Sequence, residues 1–153
     1  NSDATVNTAY QSLKNEISFQ GLNDSDITPI KVFDLVVDVR KRILPDHHVY
    51  PNVGSFFKNV FINKKDIDSL NLDAEIPIYD AGDSIKIPSA YLLEKLGWKG
   101  KRKGGVGMSA QHSLVLVSYK QVTGNEILSF ANEVINDVNL KTNIQLEIEP
   151  TLL

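Results

Sequence analysis

Apolar and polar positions along the chain fall into two long helical patterns and several short strand patterns. Over residues 29–43, Val32, Val36 and Val39 recur with Phe33 and Ile43 at spacings of three and four, the period of one helix face. Thr28 stands at the N-cap and Pro29 at the first helical position, where its missing N–H costs nothing. Asp34 and Asp38 face elsewhere, the basic turn Arg40-Lys41-Arg42 suits the negative end of the helix dipole, and Pro45 stops the helix. Over 125–140, Ile127, Leu128, Ala131, Val134, Ile135 and Val138 repeat at the same period. Shorter helices are predicted at 66–72 and at 89–96. Pro88 opens the latter, Ala90, Leu93 and Leu96 face inward, and Gly97 closes it.

Strand patterns fill the remainder. After a turn marked by Pro51, Asn52 and Gly54, residues 55–62 are aromatic and β-branched and predict a strand. Two more strands, 76–79 and 84–87, flank the turn Asp80-Ala81-Gly82-Asp83. Ser-Leu-Val-Leu-Val-Ser at 113–118 reads as a buried strand, and 144–149 alternates apolar with polar as a half-buried one. Residues 1–9 are small and polar and read as a flexible leader. Helices and strands mix without a regular βαβ alternation. That predicts an α+β fold, with a mainly antiparallel sheet and helices packed on one face, as a single domain over 10–153.

Composition narrows the function classes. A length of 153 residues, 42% hydrophobic and 23% charged, fits one soluble globular domain and not a disordered chain. A net charge of -3 and a pI near 5.6 argue against a nucleic-acid binder. No apolar run approaches the roughly 18 residues that span a membrane, and the N-terminus has no basic n-region of a signal peptide. Zero cysteines excludes disulfides, thiolate zinc sites and a Cys nucleophile, and fits a reducing cytosol.

Four constellations carry candidate chemistry. In Gly54-Ser55-Phe56-Phe57-Lys58-Asn59, a glycine lets backbone approach a ligand, Ser55 enters a strand, and Lys58 and Asn59 offer donors for a carboxylate or phosphate. Local composition alone favours an ordinary strand start there. Lys99 to Gly107 is basic and glycine-rich, suited to a diphosphate or to a solvated surface loop, but it is no P-loop. Glu147 and Glu149 share one face of an alternating segment, as paired carboxylates or as a solvated edge. His47 and His48 are adjacent on a segment read as extended, so their rings should diverge, and with His112 distant no metal site is expected.

In order along the chain, these segments resemble the C-terminal, substrate-binding domain of the UDP-N-acetylenolpyruvoylglucosamine reductase family. The most specific piece is Arg40 followed by Leu44-Pro45-Asp46 and then Asn52-Val53-Gly54-Ser55-Phe56-Phe57-Lys58-Asn59. Residues 85–100, 111–118 and the ending Leu146-Glu147-Ile148-Glu149 support it, so that the resemblance runs from about Tyr10 to the end. Departures are Ile43 where the family often has Lys, Val60 where it has Pro, and Pro150-Thr151 where it has Val-Arg.

The resemblance implies a bacterial, cytoplasmic and monomeric flavoenzyme of peptidoglycan synthesis, a UDP-N-acetylmuramate dehydrogenase. In it NADPH reduces FAD, and the reduced flavin passes hydride to UDP-N-acetylglucosamine enolpyruvate. By position it implies that Ser55 delivers a proton and that Glu149 assists. Arg40, Asn59, Tyr79, Lys86, Lys99 and His112 are then substrate contacts, the last where relatives use Gln. Nothing before Tyr10 matches a flavin-binding domain and no dinucleotide fingerprint occurs. The chain is therefore expected to be one domain of a longer enzyme, binding neither FAD nor NADPH alone, with the FAD-binding domains of the same polypeptide as its partner. The alternative is a non-catalytic nucleotide-sugar or anion-binding module on the same fold, with Ile43 as the trace of relaxed chemistry.

Overall fold

The computed structural model describes residues 6–151. The chain divides into two compact units, Asn1–Leu44 and Pro45–Leu153. Of the expected leader, 1–5 lie outside the described residues; 6–9 form no helix or strand, and Ala9 N–H bonds the Asn7 side chain. Among the described residues no helix is long and apolar enough to cross a membrane.

The first unit holds two helices, α1 (Gln11–Phe19) and α2 (Pro29–Ile43). Helix α2 has the predicted bounds, and Thr28 Oγ1 accepts from Lys31 N–H at its start. Helix α1 was not predicted, because Leu13 and Ile17 alone give it no clear period. The two pack together, with Leu13, Leu35 and Val39 buried. The buried arc of α2 is thus not the predicted one: Phe33 is 68% exposed, Val36 39% and Ile43 40%. Apolar residues cover more than half the circumference of α2, so period alone does not choose an arc. The choice falls to Leu35, Val39 and Arg42, spaced as one helix face, and Arg42 pairs with the buried Glu16 of α1.

The second unit is α+β. A four-stranded antiparallel sheet has the order β1 (Asn52–Ser55), β7 (Val115–Ser118), β6 (Val106–Met108), β5 (Arg102–Lys103). A three-stranded antiparallel sheet has the order β2 (Val60–Asn63), β4 (Ser84–Ile87), β3 (Tyr79–Ala81). Helices α3 (Ser89–Lys95) and α4 (Gly124–Thr142) complete it. Thr123 and Glu126 form a reciprocal capping box on α4, and Asn143 closes the helix at φ 61°. Phe130, Ala131, Val134 and Val138 of α4 join Phe57, Ile87, Leu93 and Met108 in one core. Trp98, 1% exposed, meets Phe130 edge-on, and its indole N–H donates to Asp137 at 2.8 Å.

Several predicted strands differ. The run 55–62 is not one strand but the end of β1, a break, and β2 in the other sheet. Phe56 and Phe57 are both buried, at 4% and 0% exposure, which a strand with one buried face does not allow. Gly54 at φ 80° and a register shift between Asn52 and Ser55 start the break. The basic loop 99–107 contains the hairpin β5–β6, turning at Gly104 with φ 60°. Two of its glycines serve packing: a Cβ on Gly105 would lie 2.6 Å from the Val122 side chain, and one on Gly107 2.6 Å from the Lys101 carbonyl oxygen. Residues 64–69 form a 3-10 helix in place of the predicted 66–72 helix, and β3 begins only at Tyr79. Residues 144–149 alternate in burial as expected, but pair through a single bridge, Phe57 to Ile148.

Candidate substrate site

The segment Gly54 to Asn59 is a seam to which remote parts of the chain are bonded. On one side Ser55 lies opposite Val115, and Phe56 N–H donates to the Leu114 carbonyl at 2.9 Å. On the other side Glu149 N–H donates to the Phe56 carbonyl at 3.0 Å, and Lys58 N–H to the Glu147 carbonyl at 2.9 Å. At its end the Asn59 carboxamide oxygen accepts from Ser89 N–H at the start of α3, while Ser89 Oγ donates to the Lys58 carbonyl at 2.6 Å. Backbone bonding therefore holds the 147–149 segment against the Gly54–Asn59 run, with Ser55, Asn59 and Glu149 all exposed. A cleft of about 390 Å³ is lined by Lys58, Asn59, Phe61, Gln145, Glu147 and Glu149 among others, and Ser55 is not in its lining. Lys58 Nζ donates to Glu147 Oε2 at 3.0 Å across it.

Tyr79 and Lys86 are directly opposite each other on β3 and β4. Strand β2 follows Asn59 at once and pairs with β4, so the Tyr79–Lys86 pair lies on the sheet that continues from the seam. Lys99 and His112 form a further group. Lys99 Nζ donates to Glu94 Oε1 at 2.9 Å, so a diphosphate would have to displace that carboxylate. His112 Nδ1 accepts from Leu114 N–H at 3.2 Å, and Ser109 Oγ holds the turn before it. Burial, then the charge of Lys99, pushes the His112 imidazole below its ordinary value, with Glu94 opposing. Its neutral ring accepts at Nδ1 and thereby presents Nε2–H as a donor. Arg40 stands exposed on α2, in the other unit.

The rest of the basic hairpin is occupied. Lys101 lies 3.6 Å over the Trp98 ring, Arg102 lies 3.5 Å over the Tyr119 ring, and Lys103 pairs with Glu133. This is the most glycine-rich stretch of the chain, and it offers no cradle for a flavin diphosphate. The histidine expectation needs correction. Residues 46–50 form a turn, with Asp46 Oδ1 accepting from His48 N–H at 2.9 Å, and the His47 and His48 rings are 4.0 Å apart instead of diverging. Asp46 and both rings place ligand atoms within 4.8 Å of one another, all exposed.

Sequence reasoning missed Phe61 and Gln145 in the cleft wall and Ser89 as the anchor of Asn59. An aromatic at the first outward position of β2 was the available signal for Phe61. Nothing local marks the other two.

The chain is similar in sequence to known proteins. The sequence pattern of the family "UDP-N-acetylenolpyruvoylglucosamine reductase, C-terminal domain" matches residues 44–153. A UDP-N-acetylenolpyruvoylglucosamine reductase of Alcanivorax borkumensis is 39% identical over 96% of this chain and 42% of its own length. Proteins of the same name from Paraburkholderia phymatum and Xanthomonas axonopodis pv. citri are each 36% identical over 94% of this chain. The chain spans about two fifths of the length of these relatives, 42% and 41% for the latter two.

Proposed function

Because the chain belongs to the UDP-N-acetylenolpyruvoylglucosamine reductase family, as its C-terminal domain, we propose that it is the substrate-binding part of a bacterial cytoplasmic oxidoreductase of peptidoglycan synthesis. Its substrate in this reading is UDP-N-acetylglucosamine enolpyruvate, and its partner is the flavin-carrying part of a polypeptide of the relatives' length. Hydride comes from an FAD reduced by NADPH and held outside this chain. What the chain contributes is the grip on the sugar nucleotide and the proton.

The observation that carries the reading is the seam. The residues that the resemblance names lie on separate stretches of sequence, yet Asn59 and Glu149 line one cleft, the Glu149 backbone is bonded to the residue after Ser55, and the Tyr79–Lys86 pair lies on the sheet that β2 joins. Ser55 ends β1 opposite Val115, directly after Gly54 with its positive φ, and is exposed. In this reading the enolpyruvyl carbon next to the carboxylate receives the Ser55 proton: an O–H bond breaks, a C–H bond forms, and the alkoxide recovers its proton from solvent. Glu149, one residue along in the facing segment, assists that transfer. Asn59, held by its oxygen at Ser89, keeps its amide hydrogens as donors. Lys86 and Lys99 supply positive charge for the diphosphate, Tyr79 and His112 supply further donors, and Arg40 a fork for an anionic group.

In a polypeptide of the relatives' full length that carries this sequence, Ser55→Ala is expected to leave flavin reduction by NADPH unchanged and to slow flavin reoxidation by substrate about 10²-fold or more. Stopped-flow absorbance separates the two halves, and near-normal reoxidation would overturn the role of Ser55. Ile43 favours a second reading, a binding-only domain. Absence of turnover in the unaltered polypeptide, with the sugar nucleotide still bound, would select it.

A further inference from the structure

We infer that Phe61 is the platform on which the pyrimidine ring of the ligand stacks, which makes it a specificity residue for the nucleotide half. The inference rests on the reading of the chain as a sugar-nucleotide site. Strand β2 buries Val60 to 8% exposure and turns Phe61 outward at 61%. On that outer face β4 sets Lys86 directly opposite Phe61, and β3 sets Tyr79, 51% exposed, directly opposite Lys86. Opposed residues on neighbouring antiparallel strands project from the same face about 5 Å apart. The three strands therefore display a row of ring, cation and ring.

On one side the neighbours of this row on the same face are Asn63, Ser84 and Ala81, all small or polar. Lys58 and Lys64, on either side of β2, pair with Glu147 and Asp80, whereas Lys86 has no carboxylate partner among the described residues. Its charge is available to an incoming anion.

Phe61 also lines the cleft that contains Asn59 and Glu149, so it stands where that cleft meets the row. A flat heterocycle with an anionic tail fits this corner: the ring on Phe61, the phosphates over Lys86, and the sugar towards Asn59. Stacking on an aromatic face needs no hydrogen-bond partner from the protein, because every base has a π-face. A protein partner would match the row less well, since its centre is a lysine, a residue type depleted in interface cores.

The test uses the 153-residue chain itself, isotope-labelled, with UDP as one probe and inorganic pyrophosphate as the other. UDP should shift the Phe61 and Tyr79 ring signals together with the Asn59 and Lys86 amides. It should also move its own uracil protons upfield. Phe61→Ala should weaken UDP about tenfold or more, leave pyrophosphate binding unchanged, and be rescued by Phe61→Tyr. Phe61 is exposed, so the variant keeps the amide spectrum of the folded chain. If UDP shifts Asn59 and Lys86 while the Phe61 ring stays still, or Phe61→Ala alters affinity less than twofold, the stacking role is wrong and the substrate-domain reading survives. If about 1 mM UDP shifts none of these residues, both fail.

Discussion

At the scale of single residues, the group whose ionisation differs most tellingly from its free state is His112. Burial and Lys99 disfavour its charged form, so the folded chain holds the imidazole neutral where an unfolded chain would protonate it. A base with a depressed folded value stabilises the fold above the ordinary histidine range and loses that contribution as pH falls through it. Between about pH 8 and about pH 5 the chain is therefore expected to lose more stability than His112→Gln does, read from urea midpoints of the two proteins. Equal losses would show that His112 is not held neutral by its surroundings. The same neutrality bears on binding, because a neutral ring donates from Nε2 without adding charge to Lys99 beside it.

At the scale of elements, ends and turns carry as much information as faces. Helix α4 begins in a reciprocal box, Thr123 Oγ1 accepting from Glu126 N–H while Glu126 Oε2 accepts from Thr123 N–H at 2.8 Å. Thr123→Ala is expected to lower unfolding free energy by about 1 kcal/mol, measured by chemical denaturation. A loss well under half of that would mean that packing on Phe130 and Val134 sets the start of α4 unaided. The long helices were legible because cap, period and stop signals agree, as at Thr28, Val39 and Pro45 for α2. The strands were less so, because a short apolar run does not say which sheet it joins. Phe56 and Phe57 show this: their adjacency reads as one strand, but both are buried in one core where the chain passes from one sheet to the other. The catalytic candidates were legible only through the resemblance. In composition, Ser55 and Glu149 look like any strand serine and terminal glutamate. Which arc of α2 is buried was not legible, because α1 decides it and α1 has no strong pattern of its own.

At the scale of the whole molecule, the two units differ in how they are held. The second has a continuous core from Phe56 to Leu146, drawn from both sheets, α3 and α4. The first buries Leu13, Leu35, Val39 and Glu16, the last paired with the exposed Arg42. Arg42 holds the Glu16 carboxyl below the usual range, with Gln20 assisting, so α1–α2 pairing weakens as acid titrates that group. The family match begins at residue 44, and the structural division falls between Leu44 and Pro45. A fragment of residues 45–153 is accordingly expected to fold by itself with one cooperative urea transition and the dispersed amide spectrum of its counterpart in the full chain. A fragment without that cooperative transition would show that the first unit is needed to complete the core.

The setting of Trp98 has a practical corollary. It is the chain's single tryptophan, it is sealed in the second unit, and its indole N–H is bound to Asp137. Its emission is therefore expected in the blue, shielded from iodide, and indifferent to whether α1 and α2 are formed. Far-ultraviolet ellipticity sums over all four α-helices. Following both signals through a single thermal melt of the unaltered protein thus compares the unit that contains the indole with the chain as a whole, and a divergence of the two curves would time the loss of one unit against the other without any label.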